Sequence, residues 1–382
     1  MKKLQIQGVG GLSTILVGEP LKNLIHHLPA PNPVIITDEI VGQRYADQFP
    51  PGHVITIGTG EGIKTLYTIR RIYSELVAIE ADRSCSIVGI GGGIVCDMAG
   101  FVASTYLRGV RFGFVASTLL AQVDASVGGK NGVNFGGYKN MVGTFNQPEF
   151  VLCDLDLLRS LPEEQLQCGF AEIVKHAAIA DAGMFDALEK DAEKALALDP
   201  LVLERLVYDS LIIKSTIVNR DEKETGERRK LNFGHTLGHA FEKILGISHG
   251  EAVSAGMIMA ADLSTTPVTG LTVQACGDAH LANFGMFASP DRRLVFDLND
   301  FDETLPGPFD WDVKRLAASV VVAGRHVGVK PKRQRRAAAA SDPVDVLRGR
   351  DVHDRRAQFL GQVGETVGCG ARRRQRAGAD RH

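Results

Sequence analysis

Ser86-Ile-Val-Gly-Ile90, then Gly91-Gly92-Gly93, then Ile94-Val-Cys-Asp97 is the stretch whose reading decides the fold. A short apolar run bounded by turn signals reads as a buried strand, and a helical pattern from Ile94 to Tyr106 follows it directly. Upstream, Pro33 to Asp38 and His53 to Ile57 are two more such runs, each followed by a helical stretch, the second from Ile63 to about Ala81. Strands alternating with helices predict parallel strands joined by crossover helices, a Rossmann-like α/β domain over residues 1–147. Backbone amides where a strand-end glycine run opens a helix can hold a pyrophosphate, and the missing side chains let it approach. The run is not Gly-x-Gly-x-x-Gly, and alone it reads equally well as a tight turn. Asp38 ends an earlier strand where a ribose hydroxyl could be held, and Gly60-Glu61-Gly-Ile-Lys64 adds a polar loop at the same sheet edge, which favours a dinucleotide.

From about Pro148 the character changes to longer amphipathic patterns, Pro162 to Ala180, Met184 to Leu198 and Leu201 to Val218, predicting a mainly helical second domain over 148–264. It carries Leu-Asn-Phe-Gly-His235-Thr-Leu-Gly-His239 and then Ser-His249-Gly-Glu251. Positions i and i+4 share a helix face, so His235 and His239 can look into one cavity, with His249 returning from the next helix start. Neutral imidazoles suit zinc, while Thr236 stands where a zinc protease has its general base, which argues against peptide hydrolysis. Glu172, flanked by Phe170, Ala171, Ile173 and Val174, is expected to be buried and is a candidate further ligand.

Between the glycine run and the helical domain lie Arg108, Lys130, Lys139 and Asn140, embedded among glycines and apolar residues. Charges in such company are costly unless paired or used, and this set suits a phosphorylated, polyhydroxylated substrate. Lys175 stands three residues from Glu172 on one helix, and Lys214, Glu224, Arg228 and Asn232 precede the histidines at spacings that could return them to the same pocket.

The 382 residues carry a net charge of −2 and 44% hydrophobic content, enough for two packed domains and without bias toward nucleic acid. No apolar run reaches a membrane-spanning length, and Met1-Lys-Lys-Leu-Gln-Ile-Gln7 alternates like a strand, so the expectation is a cytoplasmic chain with no membrane partner. Six cysteines without a Cys-x-x-Cys pair predict reduced core thiols.

Gly-Gly-Gly-x-x-x-Asp97, Tyr106-Leu-Arg-Gly-Val-Arg-Phe112, Asp124-Ala-Ser-Val-Gly-Gly-Lys130, Tyr138-Lys-Asn-Met-Val-Gly-Thr-Phe145, Phe170-Ala-Glu-Ile-Val-Lys-His176 and Leu231-Asn-Phe-Gly-His-Thr-Leu-Gly-His-Ala-Phe-Glu242 occur in order. Over residues 1 to about 264 the chain resembles the 3-dehydroquinate synthase family. The resemblance implies a divalent metal, zinc or cobalt, on Glu172, His235 and His249. It implies NAD at Asp38, Glu61, Lys64, Gly92, Gly93, Asp97, Ser117, Thr118 and Lys139. It places substrate and catalysis at Arg108, Asp124, Lys130, Asn140, Lys175, Lys214, Glu224, Arg228, Asn232 and His239, with His239 relaying a proton beside Glu224. The implied substrate is a small phosphorylated sugar acid, and the implied assembly a homodimer. In that family transient oxidation by NAD acidifies a C–H bond, phosphate leaves, the hydride returns, and the opened ring closes by an aldol step. Ala116-Ser117-Thr118 stands where the family has Pro-Thr-Thr, which keeps both hydroxyls.

After Leu263 the family's further helices and late lysine find no match, so the helical domain reads as cut short. Residues 265–327, with Asp278, Asn283, Asp300 and Asp302, resemble a fragment of an uncharacterised bacterial family similar to aminoglycoside phosphotransferases. No glycine-rich loop or ATP lysine precedes them, so separate kinase activity is not expected. Residues 328–382 are dominated by Arg, Ala and Gly and are expected to stay disordered. The chain thus reads as a truncated synthase fused to a foreign C-terminal segment. The competing readings are another sugar phosphate cyclase, a metal-dependent NAD dehydrogenase of the glycerol dehydrogenase type, and an inactive chimeric product.

Overall fold

The computed structural model describes residues 1–8, 11–136, 138–221 and 226–264, strands at 272–275, 284–288, 294–298 and 305–308, and scattered positions from 312 to 334. The chain divides into two compact units, Met1–Leu231 and Asn232–His382.

The first unit opens with a hairpin, β1 (Lys2–Gly8) and β2 (Gly11–Val17). There follow β3 (Val34–Asp38), α1 (Glu39–Tyr45), β4 (His53–Ile57), α2 (Leu66–Ala78), β5 (Ser86–Gly91), α3 (Gly93–Thr105) and β6 (Arg111–Ala116). Next come the hairpin β7 (Lys130–Phe135) and β8 (Tyr138–Phe145), then β9 (Phe150–Cys153) and the helices α4 (Glu163–Ala180), α5 (Ala182–Lys190), α6 (Ala192–Leu196) and α7 (Pro200–Arg220). The main sheet runs β1-β2-β9-β6-β5-β3-β4, parallel except for β1 against β2.

Strand alternation divides the core between two clusters. Val34, Ile36, Ile87, Phe114 and Val151 belong to one, while Ile35, Val88, Ile90, Val115 and Leu152 belong to the other. Both sides are therefore apolar, which is why these strands read as continuous hydrophobic runs. The chain leaves β3 toward β4 on one flank and leaves β5 toward β6 on the other, so strand order reverses between β3 and β5. The crevice at the carboxyl ends of two such strands is where doubly wound sheets take ligands, and here Asp38 and Gly91–Gly93 stand at those ends.

The pattern Met184 to Leu198 divides at Asp191 into α5 and α6. Asp191 adopts φ −102°, ψ 15° and its carboxylate takes Arg205 of α7 at 2.8 Å, so the chain turns where the helix would have continued. Asp199 caps α7, accepting from the amides of Leu201 and Val202, with Pro200 at the first helical position.

In the second unit α8 (His235–Leu245) packs on α9 (His249–Ser264) over Leu237, Phe241 and Ala252. The two helices meet through glycine: a Cβ on Gly256 would stand 2.0 Å from the carbonyl oxygen of Gly234. Four further strands, β10 (Thr272–Ala275), β11 (Phe284–Ala288), β12 (Leu294–Leu298) and β13 (Leu305–Pro308), pair antiparallel as β10 with β13 and β11 with β12. No helix among the described residues is long and apolar enough to cross a membrane.

Gly169 sets how closely α4 approaches the segment after β6, because a Cβ there would meet Leu119 Cγ at 2.4 Å and the Leu120 amide nitrogen at 2.8 Å. Gly169→Ala should therefore overpack this junction and cost about 1–3 kcal/mol. A urea titration by circular dichroism checks it, and an unchanged midpoint would show that the junction gives way freely.

Candidate active site

The carboxyl end of β5 sets the first group of side chains. Gly91 closes the strand, Gly92 is the N-cap of α3 and Gly93 its first residue, and no side chain caps this helix start. A Cβ on Gly93 would lie 2.9 Å from Ala125 Cβ, so glycine is needed for the close approach. One turn into α3, Asp97 accepts from Lys64 Nζ at 2.5 Å, and the same ammonium donates to Asn140 Oδ1 at 2.5 Å. Lys64 is buried, and Asn140 adopts φ 52°, where its amide nitrogen donates to Asn134 Oδ1 at 2.9 Å. Asn134 donates in turn to Glu61 at 2.7 Å. Asp38 caps α1 by accepting from the Val41 amide. The Ser117 amide donates to Gly91 O, and Thr118 Oγ1 accepts from the Ala121 amide.

Burial pushes the Asp97 carboxyl up to about 6, although Lys64 pulls the other way. Lys214 also lowers it, so the charge of Lys214 is felt at the start of α3.

A second group gathers around a π-helical turn, Ala121–Ala125, which carries Asp124. From α7, Lys214 Nζ donates to Asp124 Oδ1 at 2.7 Å and to the Asp124 carbonyl at 2.5 Å. From α4, Glu172 and Lys175, three apart on one helix face, form a buried ion pair in which Lys175 Nζ donates to Glu172 Oε2. Both are about as buried as an aliphatic core residue, at 1% and 2% exposure. Burial alone would raise Asp124, but the Lys214 and Lys175 ammonium charges hold it well below the usual carboxylate range. Burial lowers Lys214, with Asp124 opposing the shift.

His176, quoted in the sequence only as a neighbour of Lys175, belongs to this group. Its ring is fully buried, Nδ1 lies 2.5 Å from Ser210 Oγ, and Nε2 stands 3.9 Å from Asp124 Oδ1. Burial, with Lys175 adding to it, drops the imidazole to about 3, so it is neutral at any working pH. Ligand atoms of Asp124, Glu172 and His176 lie within 4.8 Å of one another. Two ammonium groups already serve those carboxylates. The only signal for His176 was a histidine beside a lysine in an apolar helix.

Arg228 is buried on a 3-10 turn, Glu227–Asn232, and donates to Gly128 O at 3.3 Å. Arg108, by contrast, is exposed at φ 68° beside Leu107 at φ 50°, and Lys130 and Lys139 are exposed on the β7–β8 hairpin. Glu224 lies outside the described residues.

Within the second unit, Asn232 is half-buried and the imidazoles cluster. Ring centroids of His235 and His239, and of His235 and His249, are 5.3 Å apart, and those of His239 and His249 are 6.4 Å apart. Nδ1 of His235 lies 3.4 Å from the Phe233 carbonyl, and Nδ1 of His249 lies 3.4 Å from Glu242 Oε2. Such outer partners of Nδ1 orient a histidine that binds metal through Nε2.

The doubly wound sheet with its helix-start cradle is an α/β enzyme fold of the sugar phosphate cyclase kind, as structural comparison shows. 2-Deoxy-scyllo-inosose synthase, solved with carbaglucose-6-phosphate, NAD+ and Co2+, superposes with a TM-score of 0.63 at 29% identity, over 70% of this chain and 77% of that one. 2-Epi-5-epi-valiolone synthase from Streptomyces hygroscopicus subsp. jinggangensis, solved with NAD+ and Zn2+, gives 0.62 at 27% identity over 66% and 74%.

The family described as 3-dehydroquinate synthase N-terminal matches residues 54–168, and 3-dehydroquinate synthase C-terminal matches 169–290. The 3-dehydroquinate synthase of Halorhodospira halophila is 45% identical over 248 residues, 63% of this chain and 70% of that protein. That of Nitrosococcus oceani is 44% identical over 250 residues, again 63% and 70%. The chain belongs to the 3-dehydroquinate synthase family. A family described only as an uncharacterized protein conserved in bacteria (DUF2252) matches residues 254–341 and overlaps the synthase match. That description names no kinase, so the kinase-like reading gains no support, and Asp278, Asn283, Asp300 and Asp302 lie outside the described residues.

Folding favours the neutral Asp97 carboxyl, so its contribution to stability is complete below the ordinary value of 3.8 and is lost as pH rises through about 6. Compared with Asp97→Asn, which cannot ionise, the wild-type chain should lose relative stability between pH 4 and 6, with a flat difference on either side. Urea midpoints at half-unit pH steps check this, and a flat difference throughout would mean that the Lys64 pair offsets burial completely.

Proposed function

We propose that the chain converts 3-deoxy-D-arabino-heptulosonate 7-phosphate into 3-dehydroquinate and phosphate, using NAD and a divalent cation, zinc or cobalt. The observation that carries the reading is the cluster of buried Glu172, Lys175 and Lys214 around half-buried Asp124, because buried charges are costly and gather where they are used. Residues 1–147 are read as the cofactor domain and 148–264 as the metal and substrate domain. The chain is read as cytoplasmic and homodimeric, without nucleic-acid or membrane partners.

The residues suit both groups. The uncapped start of α3 at a point of strand-order reversal fits a pyrophosphate, with Asp38, Glu61, Lys64, Gly92, Gly93, Asp97, Ser117, Thr118 and Lys139 assigned to NAD. Two imidazoles whose Nδ1 atoms face a carbonyl and a carboxylate fit a cation on Nε2, with Glu172, His235 and His249 as its ligands. When bound, the cation supplies Lewis acidity toward a substrate hydroxyl and NAD supplies a returnable hydride acceptor.

The chain's own residues do the rest. Arg108, Lys130, Asn140, Lys175, Lys214, Arg228 and Asn232 hold the phosphate and carboxylate of the substrate. Asp124 keeps the Lys214 ammonium charged and aimed despite its burial. His239, one turn from His235, moves a proton at the reacting hydroxyl with Glu224 beside it. A glycerol dehydrogenase-type substrate carries no phosphate and would leave this cationic set without a counter-ion. A cyclase making another carbocycle remains the second reading, favoured by the 29% identical 2-deoxy-scyllo-inosose synthase.

Phosphate release from the heptulosonate 7-phosphate by the 382-residue chain should require both NAD and zinc, and His235→Ala should lower it by more than about 100-fold, beyond the loss of an outer partner. Release from a hexose 6-phosphate instead would select the second reading. A folded, NAD-binding chain that releases none would overturn both.

A further inference from the structure

We propose that Lys175 couples metal binding to anion binding: its ammonium group and the divalent cation draw on the same Glu172 carboxylate, and a bound phosphate lets both be held together. This rests on the assignment of Glu172 as a metal ligand made above. The pair is built into one helix, three residues apart on α4, and both side chains are buried, so Lys175 cannot swing into water as a surface lysine would. Its Nζ donates to Glu172 Oε2.

Lys175 pairs with Glu172 and Lys214 with Asp124, and the buried Arg228 guanidinium adds to the positive charge that Lys214 meets. A divalent cation on Glu172 adds two positive charges where solvent does not screen them, close to the Lys175 ammonium. A phosphate dianion cancels that excess. Metal and phosphate should therefore bind with positive cooperativity, and by linkage each must raise the affinity for the other by the same factor. Lys175 supplies the charge that makes metal alone unfavourable. Without it, one positive charge that opposes a cation at Glu172 is gone.

The test is cobalt(II) affinity of the full chain, read by competition with a chromophoric chelator, with and without saturating inorganic phosphate. In the wild-type chain phosphate should tighten cobalt about tenfold, and cobalt should tighten phosphate equally, within the common range of coupling. Lys175→Gln should bind cobalt about tenfold more tightly than wild type without phosphate, and the phosphate effect should fall below about twofold. Simple structural damage would weaken cobalt instead. Equal or weaker binding by a folded Lys175→Gln chain, or a wild-type affinity indifferent to phosphate, overturns the proposal; the wild-type measurement stands even if the variant does not fold. Glu172→Gln separates the underlying assignment: unaltered cobalt affinity there would remove Glu172 from the metal site, whatever Lys175 does.

Discussion

A carboxylate and an ammonium group taken out of water each cost several kcal/mol, and they are tolerated inside a protein only when geometry brings them together with little slack. The first unit holds one fully buried pair, Lys175 with Glu172, and beside it buried Lys214 with half-buried Asp124. Their demands fix much else. Helix α4 supplies one pair within itself, so it must be helical through residues 172–175, and α7 must lie where Lys214 reaches the π-helical turn carrying Asp124. Gly169 allows α4 to come close enough to that segment, and the Ser210–His176 contact ties α4 to α7 just beside the charges. Stability and site are the same structure here, and damage to one is damage to the other.

The strand-end side follows a different logic. Its polar groups stand at the ends of strands, where the sheet stops and backbone amides run out of partners, and glycine gives the room. Lys64 connects the two sides of this edge, binding Asp97 of α3 and Asn140 of the hairpin. The hairpin is thereby held at the crevice by a charge-assisted hydrogen bond, and its two ends are tied by Asn131, whose side chain donates to the carbonyls of Gly129 and Asn146.

Much of this was legible in the residues because burial leaves a strong pattern. The runs Pro33–Asp38, His53–Ile57 and Ser86–Ile90 became strands within a residue of where they were read, since strands apolar on both faces look unlike anything else of that length. Glu172 was picked out by its apolar flanks and is buried. What could not be read were properties of side chains meeting across the chain. Nothing near Lys214 names Asp124 as its partner, 90 residues away. His176 looked like a bystander because its partner, Ser210, lies on another helix. The break between α5 and α6 depends on Arg205 reaching Asp191, again a contact from outside the segment. The exposure of Arg108 comes from two left-handed residues in succession, a backbone choice that neither leucine nor arginine advertises.

The hairpin of β1 and β2 joins the main sheet only through β9, with Ile15 beside Val151 and Val17 beside Cys153. Its first residues therefore leave the ribosome more than a hundred residues before their partner strand exists. At ordinary rates of synthesis that interval is on the order of ten seconds, during which the β2 edge and its apolar residues have no sheet to join. A nascent chain of this topology has its opening strands exposed to chaperones for about a third of its own translation, and slow codons before residue 150 would lengthen that exposure.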